Sequence, residues 1–359
     1  IPLTWLSYSE RNDALIASNK SNIMAYKGVD GGKLWEKRAE GVGFKGHPES
    51  LWDKVIIWRD WIIDQRGPGQ AYEIKTGEPV KRRHPITEKE IPWEFTKIGH
   101  HCNYAIASEH LLTIRAKNPG YHDLNTGGTM SLPGFRSGCR NSLIPANGIL
   151  NAPNFANGCI CSFSIYTSLA MVHMPDAEQW TYNTFGKHAG RVRKVGVNFN
   201  APGDRMAPNG TLWVDYPAVG GPSPQVSLSV QPAKPPGYRV HSSQVQAESS
   251  EHAWVAASGM IGVSSIKLRI GKPGDPPARY AVHLHFAEPE DHQPGERVFD
   301  VLLQGKVVAK ALDLAKESGG RLKPLVKRLE GIVVTDSILI ELNPVKGETT
   351  IAGIEILAE

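Results

Sequence analysis

Several groups of residues in this chain have the types and spacing to do chemistry. Four cysteines, Cys102, Cys139, Cys159 and Cys161, stand close together, and their thiols could pair as disulfides or ligate a metal. Cys159-Ile160-Cys161 is tighter than zinc-ligand pairs usually are, and an even count in a chain rich in turn residues favours disulfides in an oxidising compartment, with three connectivities open. His283 and His285 alternate along an apolar strand and so share one face, but no third ligand can be assigned to them. His100-His101-Cys102 lacks the Cys-x-x-Cys-His spacing of haem attachment. Glu288, Glu290 and Asp291 form an acidic loop able to contact hydroxyl groups or calcium, with a solvated loop as the simpler reading. Trp213, Asp215 and Tyr216 place aromatic faces beside a carboxylate, although aromatic residues in sandwich strands more often belong to a core. Asp204-Arg205 reads as a loop-stabilising pair. No Ser-His-Asp, Cys-His or phosphate-loop signature occurs.

These residues must be positioned by many short strands. The 36 glycines and 26 prolines are spread along all 359 residues, as turns between strands require, and the length allows two separate cores. A formal net charge of +4 with dispersed basic residues gives no nucleic-acid face. The longest apolar runs, such as 166–172, are far shorter than the roughly 20 residues of a membrane-spanning helix. The opening Ile1-Pro2-Leu3-Thr4-Trp5 has no initiator methionine and no signal-peptide pattern, and reads as the start of a processed or partial chain.

The first half repeats itself. Aligned on tyrosine, Tyr26-Lys27-Gly28-Val29-Asp30-Gly31-Gly32, Tyr72-Glu73-Ile74-Lys75-Thr76-Gly77-Glu78 and Tyr121-His122-Asp123-Leu124-Asn125-Thr126-Gly127 recur at the length of one four-stranded blade, roughly 40–50 residues. Each follows an apolar run, and each glycine suits a tight turn. A fourth unit runs from Ser142 towards Met174. The stretch Ala25 to Trp35, with Phe135 to Ala146 and Gly158 to Cys161, resembles PQQ-like, quinoprotein-type β-propeller repeats. About four blades are present where that family commonly closes with more. The resemblance therefore implies missing blades, upstream in the same precursor or on another chain. A quinone cofactor does not follow: there is no adjacent Cys-Cys pair, and neither PQQ nor calcium gains support from the residues.

From Val195 the texture changes to alternating strands, with 217–237 read as a long surface loop. The succession Leu284-His285-Phe286-Ala287-Glu288, then Arg297-Val298-Phe299-Asp300-Val301-Leu302-Leu303-Gln304-Gly305-Lys306, then Ile351-Ala352-Gly353-Ile354-Glu355-Ile356-Leu357, resembles malectin and malectin-like carbohydrate-binding domains. That resemblance implies a jelly-roll sandwich binding a glucose-type oligosaccharide through aromatic and acidic side chains in its end loops. Carried over by position, the binding residues are Asn198, Trp213, Asp215, Tyr216 and Glu288. Two family features are not evident: an acidic residue before the last strand, where Lys346 to Thr350 stand, and a middle aromatic cluster between Gln231 and Ala257.

The sequence thus predicts an all-β chain: a partial β-propeller of about four blades over 1–190, then a jelly-roll β-sandwich over 191–359. The expected role is a non-catalytic glycan-binding or scaffold part of a larger periplasmic or secreted bacterial protein. A quinoprotein-type redox enzyme and a purely structural assembly protein are the alternatives. No cofactor, nucleic acid or membrane span is expected.

Overall fold

The computed structural model describes residues 3–19, 21–38, 54–65, 69–95, 104–116, 118–135, 137, 143–153, 168–174, 177–183, 185, 190–247 and 252–359. All four cysteines, and His100-His101, lie outside the described residues. The fold is all-β: the described helices are the short Ala253–Ala256 and Leu314–Ser318 and a 3₁₀ turn at Ser242–Gln244. No described helix is long and apolar enough to cross a membrane. The chain divides into two compact units, Ile1–Arg83 with Glu90–Pro175, and His84–Lys89 with Asp176–Glu359.

In the first unit, Trp5–Ser9, Ala14–Ser18, Asn22–Lys27 and Lys33–Arg38 form an antiparallel meander. Ile56–Trp58, Trp61–Ile63 and Ala71–Glu73 repeat it. Ile106–Ala107, Leu111–Ala116, Asn118–Asp123 and Gly128–Ser131 repeat it again. The recurrence extends to single hydrogen bonds. The N–H groups of Gly28, Ile74 and Leu124 donate to the carbonyls of Asp13, Asp60 and His110, and those of Gly31, Gly77 and Gly127 donate to Lys27, Glu73 and Asp123. These last three glycines have φ of 71°, 71° and 77°, left-handed backbone that a Cβ disfavours. The equivalence corrects the tyrosine alignment: His122, not Tyr121, occupies the place of Tyr26 and Tyr72. His122 is buried, 5.9 Å from the Trp93 ring and 6.0 Å from Phe95, whereas Tyr121 is half-buried.

Successive meanders pack on one another. Ile16, Ile23 and Ala25 of the first share a cluster with Ile62 and Ile74 of the second, while Ile63 and Ala71 join Trp93, Phe95, Leu112 and Ile114. Trp35 reaches forward: its Nε1 donates to the Ile74 carbonyl at 2.7 Å, and a Cβ at Gly77 would lie 2.7 Å from its ring. In the fourth unit Ile144–Ala146, Ile149–Ala152 and Leu169–Val172 pair antiparallel.

The second unit is built on two sheets. One has the order Arg205–Met206, Leu212–Tyr216, Lys194–Phe199, Gly353–Ala358, Ala278–Phe286, Leu325–Val334. The other runs Leu228–Gln231, Ser265–Arg269, Ser337–Lys346, Val298–Leu303, Lys306–Asp313. Alternate residues supply the core: Val195, Val197, Val282, Leu284, Ile354 and Ile356 from the first sheet, Ile266, Leu268, Ile338, Ile340 and Val301 from the second, all buried. Phe286 and Phe299 meet with ring centroids 6.0 Å apart. The expected turn at Gln304-Gly305 forms, with φ of 51° and 74°. The stretch 217–237 is not all loop, because Leu228–Gln231 pairs with Ser265–Arg269. A third sheet of Gly237–Arg239, Ser258–Ile261 and Thr350–Ile351 completes the unit.

Candidate functional site

Strand register decides which polar residues meet. Gly196 lies opposite both Trp213 and Glu355, and Asn198 opposite both Asp215 and Gly353. His283 pairs with Glu355, and His285 with Gly353. By the two-residue period of a strand, Asn198, Trp213, Asp215, His283, His285 and Glu355 all leave the six-stranded sheet on the face away from the apolar core. Glycine explains how an indole fits there. A Cβ at Gly196 would stand 2.1 Å from Trp213 Cδ2, and one at Gly353 would stand 3.0 Å from Trp213 Cζ3. The Trp213 ring is completely buried, with Trp254 edge-on at 5.5 Å, His285 at 5.1 Å and His252 at 5.7 Å.

This layer is polar yet uncharged. Asn198 Oδ1 accepts from Ser258 Oγ at 3.1 Å. Asn198 Nδ2, Trp213 Nε1, His252 Nε2 and His285 Nε2 are buried and have no hydrogen-bond partner among the described residues. Burial, with repulsion from His252, pushes the His285 imidazole down to about 3, so the ring is neutral at physiological pH. At the margin His283 Nδ1 lies 2.9 Å from Glu355 Oε2, and Thr211 Oγ1 and Asn209 Nδ2 donate to Glu355 Oε1 at 2.8 and 3.0 Å. Burial raises the Glu355 carboxyl, but these bonds outweigh it and hold the group down at about 2.

A second polar centre follows the strand Ala278–Phe286. Glu288 is fully buried, and its Oε1 accepts from Arg297 Nη1 at 2.9 Å, His292 Nδ1 at 3.2 Å and the Glu290 N–H at 3.0 Å. Arg297 Nη2 also bonds Glu290 Oε2 at 2.6 Å. Glu288, Glu290 and His292 are spaced closely enough to hold a metal ion, but a buried guanidinium already bridges the two carboxylates.

The third centre lies at the same strand ends but towards the opposite edge of the sheet. Asp215 Oδ2 accepts from the Val219 N–H at 2.6 Å, and the Asp215 N–H donates to Asp204 Oδ1 at 3.3 Å. Asn183 Nδ2 donates to Asp204 Oδ2 at 3.3 Å. Burial, aided by the Asp215 charge, pushes the Asp204 carboxyl well above the usual carboxylate range, against hydrogen bonds from Ser223 and Asn183. Beside this pair Asp215, Tyr216, Ser223 and Gln225 line a cleft of about 260 Å³. Ser223, Gln225 and Ser227, with Arg269 and Lys272, line a second cleft of about 680 Å³. The loop between Pro217 and Leu228 is common to both.

The residues carried over from the sequence therefore separate. Asn198 and Trp213 belong to the closed aromatic layer, and Glu288 to the guanidinium network. Trp213 presents no free ring face, because Trp254, His252 and His285 surround it. Asp215 and Tyr216 reach a cleft. Tyr216 leaves the sheet on the side opposite Asp215 and is half-buried, with its ring 6.1 Å from Phe199. Sequence reasoning missed His252, Trp254 and Tyr238, which supply aromatic rings in the stretch where none had been located. Tyr238 Oη donates to the Ala256 carbonyl at 3.3 Å, and the short helix Ala253–Ala256 carries Trp254. Helical placement, not strand alternation, puts Trp254 over Trp213, so period-two reading could not find it.

The Malectin domain family matches residues 265–356, within the sandwich. No curated protein matches the chain. Among solved structures, a β-glucuronidase of Bacteroides uniformis aligns at 10% identity and TM-score 0.37, over 97% of this chain and 28% of that one. The ANXUR2 extracellular domain of Arabidopsis thaliana aligns at 12% identity and TM-score 0.35, over 46% of this chain and 48% of that one. The chain thus spans less than half the length of either.

Proposed function

We propose that this chain is a non-catalytic glycan-recognition part of a larger extracytoplasmic protein, with the sugar received in the clefts beside Asp215 and Tyr216. One observation carries the reading: in a sandwich whose residues 265–356 match the Malectin domain, the strand end bearing Asp215 and Tyr216 opens into a cleft. Sugar recognition needs an apolar face to meet C–H groups and planar polar groups to meet hydroxyls. Tyr216 offers the first; Asp215, Ser223 and Gln225 offer the second. The adjoining cleft, with Arg269 and Lys272, gives length for further sugar units of a glucose-type oligosaccharide. The first unit is then a scaffold of propeller blades, completed by blades upstream in the precursor or on another chain. A periplasmic or secreted location fits this role and the four cysteines, as disulfides.

The test is a glycan array with the whole chain, followed by calorimetry on any hit. Saturable binding weakened at least ten-fold, about 1.4 kcal/mol, by Tyr216→Ala or Gln225→Ala supports the reading. No binding by the folded chain, or binding untouched by both substitutions, overturns this site.

A further inference from the structure

The two clefts of the sandwich differ in charge. Among the described residues that line the larger one, Arg269 and Lys272 are the only charged side chains, and both are cationic. Among those that line the smaller one, Asp215 is the only charged side chain. The loop from Gly221 to Ser227 walls both, so a single loop serves a cationic lining and an anionic one.

The fold holds the two cations in place without giving either a partner. Burial alternates along Ser265–Arg269: Ile266 and Leu268 enter the core, so Arg269 leaves the sheet outwards. Its N–H donates to the Ser227 carbonyl at 2.8 Å, which ties the strand to the loop. The turn beyond it is anchored, because the N–H groups of Ile270 and Gly271 donate to the Asp336 carbonyl at 2.7 and 3.0 Å, and the Val192 N–H donates to the Ile270 carbonyl at 2.7 Å. The Arg269 and Lys272 side chains are exposed, and neither is ion-paired or hydrogen-bonded among the described residues, where the ion pairs of this unit use other bases. The two acids beside the turn are engaged elsewhere: Asp275 Oδ2 accepts from the Lys272 N–H at 2.8 Å, and Asp336 Oδ2 accepts from Ser337 Oγ at 3.0 Å. Two like charges three residues apart on an anchored turn repel each other, and an anion held by both offsets that repulsion.

We propose that the cleft of Arg269 and Lys272 receives an acidic saccharide unit, one bearing a carboxylate or a sulfate ester, so that the ligand of the sandwich is an anionic oligosaccharide and not an uncharged one. The inference rests on the glycan reading of the same loop and deepens it. The guanidinium fork of Arg269 matches two oxygens of a carboxylate or sulfate, and the Lys272 ammonium adds a second positive charge. The uncharged units fall to the smaller cleft, where the Asp215 carboxylate accepts from hydroxyls and repels an anion. The charges therefore set the order of units along the loop: the acidic one at Arg269 and Lys272, the neutral one at Asp215 and Tyr216.

The experiment is calorimetric titration of the whole chain with three glucose-type tetrasaccharides: an uncharged parent, the same chain with one unit oxidised at C6 to the uronate, and the same chain with one 6-sulfate ester. The uronate or the sulfate should bind roughly ten-fold or more tighter than the parent, and the tighter of the two names the acid. That advantage should shrink as sodium chloride rises from about 20 to about 500 mM, as exposed charges require. The double substitution Arg269→Gln with Lys272→Gln, checked for folding by circular dichroism, should remove the advantage. Lys346→Gln, which deletes a charge at the far end of Ser337–Lys346 from the residue opposite Arg269, should leave it intact. Equal affinity for all three ligands, weakened by Tyr216→Ala, overturns the inference and leaves the glycan reading standing. An acidic preference that survives the double substitution places the anion on another surface and overturns the site. No binding of any of the three by the folded chain overturns the inference together with the glycan reading.

Discussion

Glu288 and Asp204 are both buried acids of the sandwich, yet their surroundings differ. Glu288 is met by the Arg297 guanidinium, an imidazole and a backbone N–H, and Arg297 bridges onward to Glu290. Asp204 is met by three neutral donors, the Asp215 N–H, Asn183 Nδ2 and Ser223, and by a second carboxylate. A buried charge with its counter-charge beside it is a structural element; a buried charge without one has a reason to receive a cation or keep a proton. Removing one partner of the first pair should have the largest effect in the sandwich. Arg297→Met leaves Glu288 buried and uncompensated, with an expected loss of about 3–5 kcal/mol. Urea denaturation of the whole chain measures it. A loss below about 1 kcal/mol would show that Glu288 is not held by the guanidinium and would erase the contrast with Asp204.

A smaller effect tests the margin of the aromatic layer, where a third buried acid is satisfied by hydrogen bonds and an imidazole. Glu355 has its folded-state pKa depressed to about 2, so its contribution is present above the ordinary glutamate range and is lost as pH falls towards about 2. Hydrogen bonds to a carboxylate of this kind amount to about 1–3 kcal/mol. The wild-type chain should therefore lose stability across that acid window. Glu355→Gln should be less stable at neutral pH and converge with wild type near pH 2. Parallel stability–pH curves for the two proteins would remove Glu355 from the set of compensated acids.

What was legible in the sequence follows from these local rules. Alternation along Ala278–Phe286 and the final strand gave the inner face, because period two survives wherever a sheet packs on a sheet. The repeat gave three equivalent turns, since only glycine holds φ near 70° cheaply, but tyrosine was a poor anchor: the third unit puts His122 in the slot and moves Tyr121 aside. The outer face was the harder part. Lys194–Phe199 is buried on both sides, because Trp254 arrives from a four-residue helix distant in sequence and covers Trp213. No spacing within one strand announces that cover, so an indole in a strand looks the same as a sugar platform and as a core ring. Asp215 was visible as an acid; its partner Asp204 was read as bonded to Arg205, the neighbour in sequence, whereas the fold turns that guanidinium towards Trp254.

The smallest expected effect is also the sharpest divide between the two acids. At neutral pH, Asp204→Asn removes a charge that has no counter-charge among the described residues. The new amide keeps an oxygen to accept the Asp215 N–H, and once the Asn183 amide, whose Nδ2 faces Asp204, makes half a turn, the new N–H donates to Asn183 Oδ1. Both changes relieve the site, so stability should stay within about 1 kcal/mol of wild type or rise. The readout is urea denaturation of each protein at neutral pH. A loss of about 3 kcal/mol or more, on the scale expected for Arg297→Met, would mean that the Asp204 carboxylate is as firmly compensated as Glu288.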